Sequence, residues 1–387
     1  MNDEFYELSP ELQQMRDALR KFVKAELEPL EAEVDRTGEL PPHLLPLFGK
    51  QGYLSMRLPA DVGGAAMGLF PYALMLEEFS RSHRVFGLLA SGGGGLTPIA
   101  IARHGTHEQK NKYLKGLMDG TVRTAFALTE PAGGSDNSAM TTRAEKTDGG
   151  WVINGRKHYI NGANEADFIV LIAITDPVKR TRGGVTAFLV DKGAPGFNIT
   201  RVDTTMGSDV IKLAEIEFDN CTVPDGAVLG KPGQGFDLAK ESLRDGRMAV
   251  SCSCIGIADR LIEMSAAHAK QRVTFGKPLA ERQAIQWMLA DSVVDLAAAR
   301  AMVYETLRQI DAGMAIGTAA SVCKLYCSEM VGRVADRAVQ IHGGMGIVQG
   351  YPIERIYRDV RHYRIGEGSS EVQRILIARD LLKRTPS

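Results

Sequence analysis

The chain has 387 residues, more than one ordinary hydrophobic core organises, so two or three domains or structural layers are expected. Hydrophobic residues make up 44% and charged residues 24%, the balance of a globular protein. The formal net charge is -1 and the basic residues are spread along the chain, which excludes nucleic acid as the main partner, because a phosphate backbone calls for a concentrated basic face.

In chain order, the first seventeen residues are polar and acidic, with no signal or Arg-rich transit pattern, so a cytoplasmic location is expected. Ser9-Pro10-Glu11 reads as a helix start, with Ser9 as N-cap and Pro10 at the first position. Leu12, Met15, Leu19, Phe22 and Val23 follow at helical spacing. A short helix is expected over 46–54 and a longer one over 71–81. Arg81, His83 and Arg84 at its end read as a solvated cationic helix terminus; a carboxylated ligand would be their alternative partner. The run Gly92 to Gly95 is expected to interrupt helix, because four glycines lose too much backbone entropy. The helix resumes over 106–117. No run of 18 apolar residues is present, so no membrane span is expected.

Between 123 and 232 the texture becomes β-branched and alternating. Strands are expected at 124–128, 151–153, 168–174, 185–190 and 216–218, separated by turns at Asp148-Gly-Gly150, Asn154-Gly155 and Arg182-Gly-Gly184. Strand follows strand without intervening helix, so this is an antiparallel β domain rather than a βαβ unit. From 233 onward, long amphipathic stretches over 236–270, 279–312 and 315–341 read as a bundle, closed by a last helix over 368–383 capped by Ser369 or Ser370. The expected architecture is therefore multidomain α+β. A helical domain spans 1–122, a β domain 123–232 and a helical bundle 233–387. The five cysteines, Cys221, Cys252, Cys254, Cys323 and Cys327, are expected to be reduced packing residues. No metal site is expected, since no His or acidic cluster accompanies them.

Conventional nucleotide motifs are absent. The nearest approach to a dinucleotide fingerprint, Gly343 to Gly350, has the wrong spacing and follows a helix. Seven segments in order do, however, resemble the acyl-CoA dehydrogenase family over nearly the whole chain. They are Pro59-Ala-Asp-Val-Gly-Gly64 with Leu76-Glu-Glu78; His104-Gly-Thr-His-Glu-Gln-Lys110; Ala127-Leu-Thr-Glu-Pro-Ala-Gly-Gly-Ser-Asp136; Asn154-Gly-Arg-Lys157 with Tyr159-Ile-Asn-Gly162; Arg272-Val-Thr-Phe-Gly-Lys277; Gln340-Ile-His-Gly-Gly344; and Gly366-Glu-Gly-Ser-Ser370. The resemblance implies a four-helix C-terminal bundle, FAD, an acyl-CoA substrate, electron transfer to an electron-transfer flavoprotein, and a homotetramer.

The resemblance also assigns roles. Phe126, Leu128 and Thr129 would line the flavin, and Ser135 would serve the FAD phosphates or the CoA arm. Tyr159 stands where the family often has Trp beside the flavin, and Asn161 where Thr or Ser bonds flavin N5; each keeps an aromatic face or a hydrogen-bonding tip. Arg272, Thr274, Phe275, Gln283, Gln340, Gly343 and Gly344 would grip the FAD diphosphate and adenine of a neighbouring subunit. Arg suits a diphosphate through its paired donors, and the glycines let backbone come close. Ser369 belongs with the cofactor, and Arg247 and Gly368 with the substrate. Glu367 would be the base that removes the α-proton. Its backbone N–H would form half of an oxyanion site, while a hydride leaves the β carbon for flavin N5. Burial should raise its pKa. Some members carry the base on the first bundle helix, but the matching position here is Gly246, and Asp245 beside it would point off that face. An oxidase, an enoyl-CoA reductase and a non-enzymatic CoA-binding scaffold are the competing readings; the intact Glu367 weighs against the last.

Overall fold

The computed structural model describes residues 6–385 apart from 208. Seven helices come first: α1 (Pro10–Phe22), α2 (Glu31–Thr37), α3 (Leu44–Lys50), α4 (Leu69–Ser82), α5 (Arg84–Gly94), α6 (Leu96–His104) and α7 (His107–Asp119). Ser9 caps α1 by accepting from the Leu12 N–H at 3.3 Å, with Pro10 at the first position. Thr106 and Gln109 form a reciprocal capping box at α7. The glycine run does not break the helix where expected: α5 continues to Gly94, and the chain leaves helical geometry at Gly95 alone (φ -94, ψ -121). Glycines are tolerated there because they form a terminal turn rather than an interior. The stretch Arg84–His104 is apolar and long enough to cross a membrane by composition, yet 75% of its most apolar window is buried and Gly95 divides it, as expected of a core helix pair.

Eight strands form one sheet: β1 (Thr124–Ala127), β2 (Arg143–Thr147), β3 (Gly150–Asn161), β4 (Phe168–Ile174), β5 (Val185–Asp191), β6 (Phe197–Asp203), β7 (Leu213–Pro224) and β8 (Val228–Leu229). Their order is β6-β7-β3-β2-β4-β5-β8, with β1 on β4. The sheet is antiparallel except at two pairings. β1 runs parallel to β4, and β2 touches β4 in parallel at Arg143–Ile174. This corrects the purely antiparallel expectation. The β2–β3 hairpin between β1 and β4 is the long connection that a parallel pair needs. β2 and β6 were not expected from sequence, because most of their side chains face water and give only a weak apolar pattern.

The C-terminal part contains α8 (Gly235–Gln271), a tight hairpin of β9 (Val273–Thr274) and β10 (Lys277–Pro278), α9 (Gln283–Asp311), α10 (Ala319–His342), α11 (Pro352–Val360) and α12 (Ser370–Arg384). Helix α11 has no counterpart among the stretches expected from sequence, where the segment between 341 and 368 carries no assigned element. The helical N- and C-terminal parts share one continuous core: Phe79 and Leu74 of α4, Cys252 and Ile255 of α8, Val303 of α9 and Val331 of α10 belong to the same buried cluster. Gly256 allows the closest approach, since a Cβ there would lie 1.9 Å from the Glu77 carbonyl oxygen. A second cluster joins α6, α7 and the start of α8 to β4 and β5.

Candidate active site

Glu367 sits at the junction of α8, α10 and the turn before α12. Its backbone is left-handed (φ +56) and so is that of Gly368 (φ +86). A left-handed glutamate is uncommon and persists only where surrounding contacts hold it. Those contacts are visible. The Lys324 ammonium donates to the Gly368 carbonyl at 2.7 Å, and the Gln373 amide donates to the carbonyls of Glu367 and Gly368 at 3.2 and 2.9 Å. Ser369 caps α12 by accepting from the Val372 N–H. Across from the carboxylate lies Gly246 of α8, where a Cβ would stand 2.6 Å from Glu367 Oε2. A side chain at position 246 would therefore fill the space that the carboxylate now uses.

The electrostatics suit a base. The residue as a whole is half-buried, but Oε2 is sealed from solvent and takes no hydrogen bond. Burial raises the Glu367 pKa, and the charges of Arg247 and Lys324 partly offset the rise. Arg247 lies beside it, reaching Ser321 Oγ at 3.4 Å while its own Nε lacks a partner. Asp245 is turned away as expected, pairing with Arg57 and Arg244.

The flavin-lining set of the resemblance gathers at one place in the sheet. The His158 N–H donates to the Thr129 carbonyl at 2.9 Å, and the Lys157 ammonium to the Leu128 carbonyl at 2.9 Å, so the end of β1 lies against the middle of β3. Pairing with β7 is irregular between Lys157 and Ile160, and Tyr159 there has φ +57. Such a bulge re-aims a side chain. The Tyr159 ring is 56% exposed and stacks on His158 at 3.7 Å between centroids. Phe126, Leu128 and Thr129 are half-buried, and Asn161 and Ser135 are exposed. Beneath them the buried pair Lys157–Glu130 (2.8 Å) anchors the loop, with Glu130 also accepting from the N–H groups of Thr141 and Thr142.

The remaining set lies elsewhere. Arg272 ends α8 and Thr274 and Phe275 form the β9–β10 turn, with Phe275 97% exposed at φ +48. Gln283 starts α9; Gln340, Gly343 and Gly344 end α10; all four are exposed. Stacking of His268 on His342 (4.4 Å) brings the ends of α8 and α10 together. This end of the bundle is about 38 Å from Gly246 along α8, at 1.5 Å per residue. The structure thus unites Glu367 with Arg247 and Gly368, unites the β1–β3 set, and separates both from the Arg272 set within one chain. Residues between β6 and β7 link the β domain to the bundle: the Met206 carbonyl accepts from Arg358 of α11, and Val210 joins the helical core.

Two corrections concern other residues. Arg81, His83 and Arg84 do not form a solvated helix terminus but are drawn into ion pairs within the chain. Arg81 pairs with Asp259 and Glu263, buried His83 with Asp35, and Arg84 with Asp359. Sequence reasoning also missed Lys324, Gln373 and the Glu130–Lys157 pair. A signal for Lys324 existed: it shares the helix stripe of Ala320, Cys323, Cys327 and Val331, where a charged residue is out of pattern.

Comparison with known proteins completes the picture. The models for the N-terminal, middle and C-terminal domains of acyl-CoA dehydrogenase match residues 9–121, 125–221 and 233–382. The chain is 38% identical over 381 residues to acryloyl-CoA reductase (NADH) of Anaerotignum propionicum, covering 98% of this chain and 96% of that protein. Butyryl-CoA dehydrogenase from Megasphaera elsdenii superimposes with a TM-score of 0.92 at 32% identity, covering 99% of this chain and 100% of that one. The FAD complex of PigA superimposes with a TM-score of 0.94 at 27% identity, over 100% of both chains. Matched from end to end by these models, the chain belongs to the acyl-CoA dehydrogenase family of oxidoreductases.

Proposed function

We propose that this chain is an FAD-dependent enzyme that converts an acyl-CoA thioester to its 2-enoyl-CoA, with Glu367 as the base and an electron-transfer flavoprotein as acceptor. The observation that carries the reading is the Glu367 carboxylate: desolvated, one oxygen unpartnered, and presented by a clamped left-handed turn against an otherwise empty Gly246. A base of raised pKa is matched to a weakly acidic α-proton. Among the described residues the Glu367 N–H takes no partner, which leaves it available to a thioester oxygen as negative charge grows there. Arg247, beside the carboxylate, and Gly368 are suited to hold the substrate, and Ser135 to reach its CoA arm.

The residues present fit FAD. Tyr159 offers an exposed aromatic face, Leu128 and Phe126 an apolar edge, and Thr129 and Asn161 polar tips for a ring with a hydrogen-bonding rim. Gly343 and Gly344 have open space where a Cβ would stand, as backbone meeting a diphosphate requires. When bound, FAD supplies the two-electron acceptor for the hydride that leaves the β carbon. The distance between the Arg272 set and Glu367 supports a cofactor site shared between two subunits of a homotetramer.

A second direction is favoured by one observation, the similarity to a protein named acryloyl-CoA reductase. A carboxyl of raised pKa also serves as the acid that returns a proton to the α carbon, so the same residues run either way. An anaerobic visible spectrum of the FAD-loaded protein, before and after acyl-CoAs of graded length, tests the reading. Loss of oxidised-flavin absorption with saturated acyl-CoAs, and its absence in Glu367→Gln with FAD retained, is the expected result. Glu367→Gln reduced at near wild-type rate would move the base elsewhere. Reoxidation of the reduced enzyme by enoyl-CoA far faster than forward reduction would select the reductase direction.

A further inference from the structure

Lys324 is the feature of the site that its assigned chemistry does not use. It lies on the apolar stripe of α10 and is fully buried. Among the described residues its ammonium makes one hydrogen bond, to the Gly368 carbonyl at 2.7 Å, on the residue next to Glu367. A buried ammonium is strongly disfavoured unless something compensates it. A lone neutral carbonyl is a modest partner, and a methionine or leucine would fill the same stripe without that penalty. The compensation that remains is negative charge within electrostatic reach. The Cys254 thiol is the foremost such partner, but burial keeps it protonated; the carboxylate of Glu367 comes next, ahead of that of Glu329 further along α10. Glu329 is already engaged by Arg364 at 3.1 Å and by Ser370 at 2.7 Å.

We propose that Lys324 is a positioning residue for the base: its ammonium ties down the Gly368 carbonyl and sets a fixed positive charge behind the Glu367 carboxylate. The inference rests on the reading of Glu367 as the base. Two effects follow. The tie, with the paired donation from Gln373, holds two consecutive left-handed residues that would otherwise relax. The charge counters the burial that raises the Glu367 pKa, so that enough carboxylate stays ionised to accept a proton near neutral pH. The groups that face Lys324 are few. Helix α8 presents Arg247 and the Cys254 thiol, α10 itself presents Glu329, the turn after α11 presents His362, and the loop presents Glu367. His362 is lowered to about 4 and Cys254 is pushed well above its ordinary value, both by burial. Lys324, lowered to about 8 by burial, is the group among them that titrates in the mildly alkaline range.

The test uses the FAD-loaded protein labelled with glutamate carrying carbon-13 in the side-chain carboxyl, with the Glu367 resonance assigned by its loss in Glu367→Gln. Wild type should show two inflections: its own ionisation, and a smaller one near pH 8 as Lys324 loses its proton. In Lys324→Gln, which retains a donor for Gly368, the second inflection should vanish. The first should rise by about one pH unit, equivalent to about tenfold slower flavin reduction on the acid limb. Lys324→Arg should restore the first inflection. A wild-type carbon-13 titration with no alkaline inflection would overturn the proposal without recourse to any variant. So would a folded, FAD-loaded Lys324→Gln with an unmoved first inflection. If Glu367→Gln reduces its flavin normally while the coupled titration stands, the reading of the base fails and the Lys324–Glu367 coupling does not.

Discussion

Gly246 and Gly256 lie on the same helix and differ in what a methyl group would meet. At 246 it meets a carboxylate, 2.6 Å away on a loop; at 256 it meets the Glu77 backbone oxygen 1.9 Å away, held within α4. Ala is favoured over Gly inside a helix by about 0.5–1 kcal/mol, so Gly246→Ala should fold well. It should displace the Glu367 carboxylate by a fraction of an ångström and slow acyl-CoA-dependent flavin reduction by about a hundredfold, with FAD content unchanged. Stopped-flow absorbance checks the rate, and normal rates in that variant would show that the carboxylate has room to spare. Gly256→Ala should behave oppositely, losing about 1–3 kcal/mol in thermal or denaturant unfolding, because the backbone of two packed helices cannot shift locally. At this scale the sequence singled out a glutamate between glycines and a glycine on the first bundle helix, and the structure sets the two side by side. The sequence was not legible where a role depends on burial. The Lys324 ammonium and the Gln373 amide acquire their roles only once α10 and α12 are packed against the loop.

The set proposed to line the flavin is carried by the end of β1 and the bulge of β3, and the Glu130–Lys157 pair locks them together. Burial would raise the Glu130 pKa, but the Lys157 ammonium and the donors of Thr141 and Thr142 outweigh it and bring it from 4.5 down to about 2. A carboxylate held below its unfolded value contributes stability that is present above about pH 4.5 and lost as pH falls toward 2. Lys157→Met removes one member of a buried pair and leaves the other charge uncompensated, which should lower stability by about 3 kcal/mol or more. The Leu128 carbonyl also loses its donor, so FAD should be retained less tightly. Calorimetry together with flavin content after dialysis checks both, and unaltered flavin retention would detach the pair from the cofactor surface. Elements with strong apolar periodicity, such as β4, β5 and α8, were legible in sequence because both of their faces, or one long stripe, are buried. β2 and β6 were not, since most of their side chains face water and give only a weak apolar pattern, and the parallel β1–β4 pairing was hidden because register is set by tertiary packing.

Across the whole molecule, the Arg272 set lies about 38 Å along α8 from the Gly246 that faces Glu367, and this separation is the ground for proposing a cofactor shared between two copies. The surface near the Arg272 end is unusually apolar for exposed residues: Val273, Phe275, Trp287, Met345, Ile347 and Val348 all face outward. Exposed apolar area of this kind is normally covered by another protein surface. Ile375, Leu381 and Leu382 add a similar patch on α12. If a second copy covers the Arg272 end and its flavin reaches across, cofactor and assembly must be linked, since each stabilises the same associated state. Arg272→Ala then removes paired donors to a diphosphate without disturbing the core, the residue being exposed and its backbone carbonyl still accepting from Leu279. Its flavin should be lost on dilution, and sedimentation velocity should show a shift toward smaller species that added FAD reverses. A variant that keeps its flavin as a monomer would place the whole cofactor site within one chain. A variant that loses its flavin yet stays fully assembled would show that the apolar patches, rather than the shared cofactor, hold the copies together.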